Sequence, residues 1–512
     1  MDFKVSSLIK TSSGLGVLMI IGYGISFLKE SSIAYYFGVS PEVDAYTIAI
    51  QVPIILYSVF SVAIKSVLIP IYSKCFYNED KIHSDAYISN FISIVLVLSL
   101  FFSIIGSLFA SPIIYLFAPG FEEYRHTIAT NLLRWSFLTL FCTAYSEIVT
   151  GVLNVHKKFA IPSLGVWIWN LIIIMTIILL NNLGVCAAVI GNAIGLICEF
   201  IFMMYILKKQ ITYKFVINLR DKFIQDSLKK TLPVMLGIGA AEVNRMVDRV
   251  MASIIGVGSI SILNYASKIS TVFAGMLEQT VTVVAFPYFA EFSAKKEYSS
   301  LSKLLNICLT GFTLVLIPIT IYTILFNDII VDIAFGRGKF SQDDVIMTGS
   351  VLLYFALGLF FLCMRSLLTN IFYSLEDTKT PSYNSIVGII VNIVLNIILG
   401  YIMGIQGLAL ATSLSLFVIF ILLLFQIRKY KNFISLKEFY SNIYKPIIAG
   451  GVLTITFLFF ENILEKKSLN IIVSFIVSIF LYLIVLYLLK TKELVIIINL
   501  IRKANGKTNN PR

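Results

Sequence analysis

Ile405 to Ile427 reads IQGLALATSLSLFVIFILLLFQI, a run without one charge, and Arg428 and Lys429 follow at once. A hydrocarbon core about 30 Å thick needs about 20 apolar residues of helix. The run is long enough to cross a bilayer, and the basic pair after it marks a cytoplasmic boundary. Comparable runs lie near 9–36, 45–73, 87–117, 127–154, 161–181, 184–207, 231–255, 259–290, 304–326, 345–373, 382–402, 446–464 and 469–489, making fourteen spans. Several are longer than a bilayer requires, which implies tilt or projection beyond it. Across all 512 residues 58% are hydrophobic and 13% charged, with a mean hydropathy of +0.90. A soluble domain carries about 25% charged residues. The composition excludes a soluble enzyme, a nucleic-acid binder and a disordered scaffold, and points to an all-α polytopic membrane protein.

The charges fix the expected orientation. With the N-terminus inside, the cytoplasmic segments hold 28 of the 40 Lys and Arg residues, and the outer loops hold five: Arg125, Arg337, Lys339, Lys466 and Lys467. That asymmetry places both termini in the cytoplasm, and it accounts for the net charge of +12 without nucleic acid. The six cysteines show neither CxxC nor metal-ligand spacing and read as small apolar residues.

The chain resembles itself at an offset near 219. Leu133 to Pro162-Ser163 runs parallel to Leu352 to Pro381-Ser382 without a gap, and the segment from Gly184 echoes that from Gly404. Each follows a helix bearing an asparagine, Asn170 or Asn392. The expected organisation is an N-terminal lobe (1–207), a basic amphipathic cytoplasmic linker (208–230), a C-terminal lobe (231–430), a helix pair (440–490) and a basic cytoplasmic tail (491–512). Two six-helix lobes in the same orientation are related by a pseudo-twofold along the membrane normal, as in transporters that rock two halves around a site. The linker alternates basic and apolar residues and is expected along the anionic inner leaflet.

Seven basic residues remain within spans or at their mouths: Lys29, Lys65, Arg134, Arg245, Arg249, Lys268 and Arg365. Each central charge costs about 2.5–3.5 kcal/mol even on a lenient insertion scale, so they must pair or line a wet interior. Local pairing offers Glu242 with Arg245 and Asp44 with Lys29. Lys29 and Lys268 fall in the first-two-helix regions of their own halves, where two facing cations would suit a phosphate or pyrophosphate.

Lys29-Glu-x-x-Ile-Ala-x-x-Phe-Gly38, Asp44-Ala-Tyr46, Val247-Asp-Arg-x-Met-Ala-Ser253, Gly258-Ser-Ile-x-x-Leu-Asn-Tyr-Ala266, Phe335-Gly-Arg-Gly-Lys-Phe340, Phe372 to Pro381 and Gly407 to Thr412 resemble the MurJ/MviN family of lipid II flippases, in the multidrug/oligosaccharidyl-lipid/polysaccharide exporter superfamily. The resemblance covers most of the chain. It implies fourteen helices in two lobes plus a terminal pair that helps form a groove for a lipid tail. It also implies a bacterial plasma-membrane protein that moves undecaprenyl-pyrophosphate-linked peptidoglycan precursor (lipid II) to the outer leaflet by alternating access, driven by ions or voltage. The partners implied are lipid II and membrane lipids, and the chain is expected to be a monomer. Family arginines fall on Lys29, Lys268, Tyr23 and Tyr57, so charge survives at two positions and is lost at two. Glu30 adjoins Lys29, Lys65 lies near a missing Glu-Gly motif, and Asp44 matches a carboxylate at the outer end of the second helix. A sodium site known in some members falls on Asp248, Asn392, Asn396, Leu408 and Thr412, with Asn396 in place of a carboxylate.

Three other readings stay open. The tyrosines at 23 and 57 favour a flippase for another polyprenyl-linked glycan. A drug antiporter of the same superfamily would suit the fold but not a cationic first lobe. A membrane glycosyltransferase would use Asp343 and Asp344, although Ser341-Gln-Asp-Asp344 also reads as a cap on the tenth span. No phosphate-binding loop of the Gly-x-x-x-x-Gly-Lys-Ser/Thr type occurs. The expectation is a transporter, not an enzyme.

Overall fold

A computed structural model describes residues 2–78, 80–280, 285–430, 435–463, 468–489 and 491. Among them there is no strand. In chain order the helices are α1 (Asp2–Phe37), α2 (Pro41–Asn78), α3 (Lys81–Leu108), α4 (Ala110–Phe117), α5 (Glu123–Leu138), α6 (Leu140–Val155), α7 (Ala160–Leu179), α8 (Cys186–Lys208), α9 (Lys222–Ile255) and α10 (Ser259–Thr280). There follow α11 (Phe286–Ala294), α12 (Tyr298–Leu325), α13 (Asn327–Phe335), α14 (Gln342–Ser374), α15 (Lys379–Met403), α16 (Ile405–Gln426), α17 (Lys437–Asn442), α18 (Tyr444–Ile463) and α19 (Ser468–Leu488). Among the described residues nine helical segments are long and apolar enough to cross a membrane. Lys29, Glu30, Asp44, Asp248 and Lys268 lie on α1, α2, α9 and α10.

Hydropathy merged what the backbone divides. The expected run 87–117 breaks at Phe109 into α3 and α4, and 127–154 breaks at Thr139 into α5 and α6. At the second break the Thr139 hydroxyl donates to the Ser136 carbonyl at 2.9 Å, a local bond that competes with the helix ladder. The expected run 259–290 holds α10, residues outside the described set, and the start of α11. Most of the tail, 492–512, also lies outside the described residues. α14 begins with a reciprocal cap: the Asp344 amide donates to Ser341 Oγ at 3.2 Å, and the Ser341 amide to Asp344 Oδ2 at 2.9 Å.

The chain forms two compact units. The first comprises Met1–Val272, Asp328–Val351 and Ile389–Ala411; the second comprises Phe273–Asn327, Leu352–Gly388 and Thr412–Arg512. In the first, α2 packs along α5, α6 and α9, and Leu68, Tyr72, Ile88, Ile92, Ile148 and Leu153 form a closed apolar core. In the second, Leu305, Leu309, Met364, Leu367, Ile371 and Leu423 form another. There α18 and α19 pack on α12, where Tyr322 Oη and Ser478 Oγ are 2.6 Å apart and Tyr482 donates to the Leu314 carbonyl at 2.8 Å.

Left-handed residues recur near the sequence offset. Lys157 (φ 60°) and Glu376 (φ 61°) each end a helix, and the next amide closes back to the carbonyl five residues earlier, Lys158 to Leu153 and Asp377 to Phe372. This is the helix-ending turn that glycine usually supplies. Gly184 and Gly404 take φ of 61° and 62° after α7 and α15.

Candidate substrate-binding site

Lys29 and Glu30 are neighbours near the end of α1, and Lys268 projects from the middle of α10, all within the first unit. Glu30 Oε1 lies 3.2 Å from Lys29 Nζ and 3.6 Å from Lys268 Nζ. One carboxylate thus serves two ammonium groups, leaving the cluster one positive charge in excess. Side-chain exposure is 12% for Lys29, 7% for Glu30 and 39% for Lys268, so the carboxylate is enclosed while one cation reaches open space. Lys29 Nζ also sits 6.0 Å from the centre of the Trp169 ring on α7, which adds a weak cation–π attraction. The alternative pairing of Lys29 with Asp44 does not occur.

Asp44 is fully buried in the first turn of α2. Its Oδ2 accepts the Gly258 amide at 2.6 Å, and its Oδ1 accepts the Ser261 amide at 2.9 Å and the Ser261 hydroxyl at 2.8 Å. A carboxylate thereby caps the N-terminus of α10, where unpaired amides and the helix dipole favour negative charge. Arg125 Nη1 stands 3.8 Å away, itself buried, and its Nη2 donates to the Gly120 carbonyl at 3.2 Å. The seam extends through Tyr265, whose hydroxyl donates to the Gly38 carbonyl at 3.2 Å, and through the Lys339 amide, which donates to the Tyr35 carbonyl at 2.8 Å. Gly38 has φ of 62°, and a Cβ there would collide with the Lys339 carbonyl.

The remaining candidates are dispersed. Tyr57 is buried, and its hydroxyl has no hydrogen-bond partner. It lines a cavity of about 150 Å³ with Ser136, Thr139, Trp169 and Asn192, and Trp169 is also the ring near Lys29. Tyr23 is half-buried on α1, six residues before Lys29 and therefore on another face of the helix. The Lys65 side chain lies outside the described residues. Arg245 pairs with Glu242 at 3.4 Å.

Asp248, Asn392 and Asn396 come together in the first unit. Asn396 Nδ2 donates to Asp248 Oδ1 at 2.6 Å and to Asn392 Oδ1 at 2.9 Å, while Asn396 Oδ1 is buried without a hydrogen-bond partner. Turning that amide would present its oxygen beside the carboxylate and the other amide oxygen, a donor set that fits a hard monovalent cation. Leu408 is buried in the first unit and Thr412 belongs to the second.

Sequence reasoning did not find Arg125, Ser261 or Trp169. Arg125 reads as an outer-loop cation, and no local pattern joins it to Asp44. The motif that begins at Gly258 does contain the capped helix start, so Gly258 was the available signal, while Ser261 falls on one of its unspecified positions.

The family described as lipid II flippase MurJ matches residues 33–496. The chain belongs to the MurJ family. It is 25% identical over 484 residues to a probable lipid II flippase MurJ of Buchnera aphidicola subsp. Baizongia pistaciae, covering 93% of this chain and 94% of that one. A probable lipid II flippase MurJ of Borreliella burgdorferi is 28% identical, with 86% and 87% covered. Among solved structures, a lipid II flippase MurJ in an inward closed conformation superposes with a TM-score of 0.81 at 26% identity, covering 92% of this chain and 97% of that one. An inward-facing multidrug-resistance transporter of the MOP superfamily, at 16% identity and a TM-score of 0.64, shares the fold.

Proposed function

We propose that this chain is a transporter that flips lipid II across the bacterial plasma membrane, with Lys29 and Lys268 receiving the pyrophosphate. The observation that carries the reading is the sharing of Glu30 by two lysines, one of them open to entry. Moving an unneutralised diphosphate through hydrocarbon costs tens of kcal/mol. The lipid tail can remain in the bilayer while its head crosses against the cluster. An arriving pyrophosphate competes with Glu30 for both ammonium groups, so loading is an exchange of one anion for another. Glu30 then retakes the lysines when the headgroup leaves.

In this reading the chain has fourteen spans in two pseudo-symmetric lobes with both termini cytoplasmic. The recurrence of left-handed turns at Lys157 and Glu376 supports the symmetry, and the basic excess of the predicted inner loops supports the orientation. The Asp44 seam acts as an outer latch that opens when the site turns outward. A sodium ion would be held by Asp248, Asn392, Asn396 and Leu408, and would supply a fixed positive charge there. α18 and α19 keep Ile447, Ile455, Phe459, Phe480 and Tyr487 exposed, a surface suited to a polyprenyl tail and membrane lipids. The protein acts as a monomer.

Depletion of a host's own lipid II flippase, with this gene supplied in its place, tests the reading. The wild type rescues growth; Lys29→Ala and Lys268→Ala, expressed to the same level, do not. Tyr57, where the family carries a cation, favours a second reading in which another polyprenyl-linked glycan is the cargo. Failure of the expressed wild type to rescue would select that reading.

A further inference from the structure

The segment joining α8 to α9 is not a loose tether. Residues 211–220 run without helical structure along the first half of α3. The amides of Thr212, Lys214 and Val216 donate in turn to Asp85 Oδ2 at 2.9 Å, Ser89 Oγ at 3.3 Å and Ser93 Oγ at 3.3 Å. The chain then turns back, and Asn218 is gripped at both its main-chain polar groups: its backbone N–H donates to Asn90 Oδ1 at 2.8 Å and its backbone carbonyl accepts from Asn90 Nδ2 at 2.9 Å. Ile211 and Ile224 anchor the two ends in the apolar core, and Tyr87 Oη lies 2.9 Å from Ser227 Oγ.

Eight residues separate Asp85 from Ser93, so the segment climbs about 12 Å along α3. The climb takes it from the helix's polar start into its apolar stretch. The amides that turn toward the helix there need acceptors. The polar stripe Asp85, Ser89, Asn90 and Ser93, otherwise out of place in a spanning helix, supplies those acceptors.

The outward side of the segment is apolar at its tip and basic at its margins. Exposure is 65% for Phe215, 45% for Val216, 50% for Ile217 and 57% for Leu219. Lys208, Lys209, Lys214, Arg220 and Lys222 are all exposed. The one carboxylate within 208–222, Asp221, is engaged in capping α9 through the Phe223 and Ile224 amides at 2.8 and 3.1 Å. An apolar tip ringed by uncompensated cations matches the boundary of an anionic lipid leaflet, where acyl chains meet negative headgroups.

We propose that residues 208–222 form an interfacial strap whose apolar tip enters the acyl boundary and whose four lysines and Arg220 bind anionic phospholipid headgroups. Lipid II is not needed for this contact, and the strap works whatever glycan the chain carries.

Full-length protein bearing Phe215→Trp, and in parallel Ile217→Trp, is placed in phosphatidylcholine nanodiscs containing one-fifth phosphatidylglycerol and no lipid II. The parent's native tryptophan signal is subtracted. The new tryptophan should be quenched strongly by lipids brominated near the glycerol, and aqueous acrylamide should quench it about threefold less than a free indole. With bromine carried only on the phosphatidylglycerol, quenching should exceed that of randomly mixed lipid. It should fall to the random level when Lys208, Lys209 and Lys214 are all changed to Gln. Full acrylamide quenching without bromolipid quenching at both positions would overturn the insertion. Random-level quenching by brominated phosphatidylglycerol in the basic protein would overturn the headgroup contact.

Discussion

Glu30 and Asp44 are both buried carboxylates of the first unit, and they are satisfied in opposite ways. Glu30 is held by two flexible ammonium groups at 3.2 and 3.6 Å. Asp44 is held by two backbone amides and a hydroxyl at 2.6–2.9 Å, with a buried guanidinium behind. Lysine ends can move to another anion without disturbing the fold, whereas the amides at a helix start cannot move unless the helix does. The first arrangement suits exchange with a ligand and the second suits a joint that is either shut or open. Two sites of the same formal chemistry are separated by whether their partners are side chain or main chain.

The largest effect that would sharpen this contrast is at Asp44. Asp44→Ala strands the Gly258 and Ser261 donors and leaves Arg125 buried without its anion, and should cost about 3–5 kcal/mol, read as a lower melting temperature of the purified protein. Unchanged melting would break the latch side of the comparison. Gly38→Ala imposes a left-handed backbone on a residue with a Cβ and pushes against the Lys339 carbonyl, for about 1–3 kcal/mol in the same measurement. Lys29→Ala and Lys268→Ala, taken singly, each leave Glu30 one partner. Melting should shift less than for Asp44→Ala, because Glu30 keeps one ammonium partner, while pyrophosphate-lipid affinity falls about 10-fold or more, the loss of one charge-assisted contact. A melting loss as large as that of Asp44→Ala would show the lysines to be structural. Glu30→Gln removes the competing anion: binding should tighten about 10-fold while transport slows, and weaker binding would contradict the exchange. Lys268→Arg should change binding by no more than about threefold, since charge is kept and only its geometry changes.

Much of this was legible in the sequence, for reasons particular residues make plain. Spans without charge, such as Ile405–Gln426, announce themselves because burial in lipid and in protein demand the same residues. Lys29 and Lys268 stand out because charge in a span is expensive. The breaks at Phe109 and Thr139 escaped because apolar residues flank them on both sides, and hydropathy reports polarity but not backbone direction. Glu30 was visible as Lys29's neighbour, yet its bond to Lys268 depends on how α1 and α10 meet. Asp44's partners were hidden for the same reason. The stripe Asp85, Ser89, Asn90 and Ser93 was readable in principle, since four polar residues within three turns of a spanning helix require an explanation.

The most direct test measures equilibrium binding of purified lipid II to the detergent-solubilised protein by native mass spectrometry, comparing the wild type with Lys29→Ala, Lys268→Ala and Glu30→Gln. Two lysines sharing one displaceable carboxylate predict weaker binding for the first two variants and tighter binding for the third. Equal binding by all four proteins would contradict the assignment of the cluster to the headgroup.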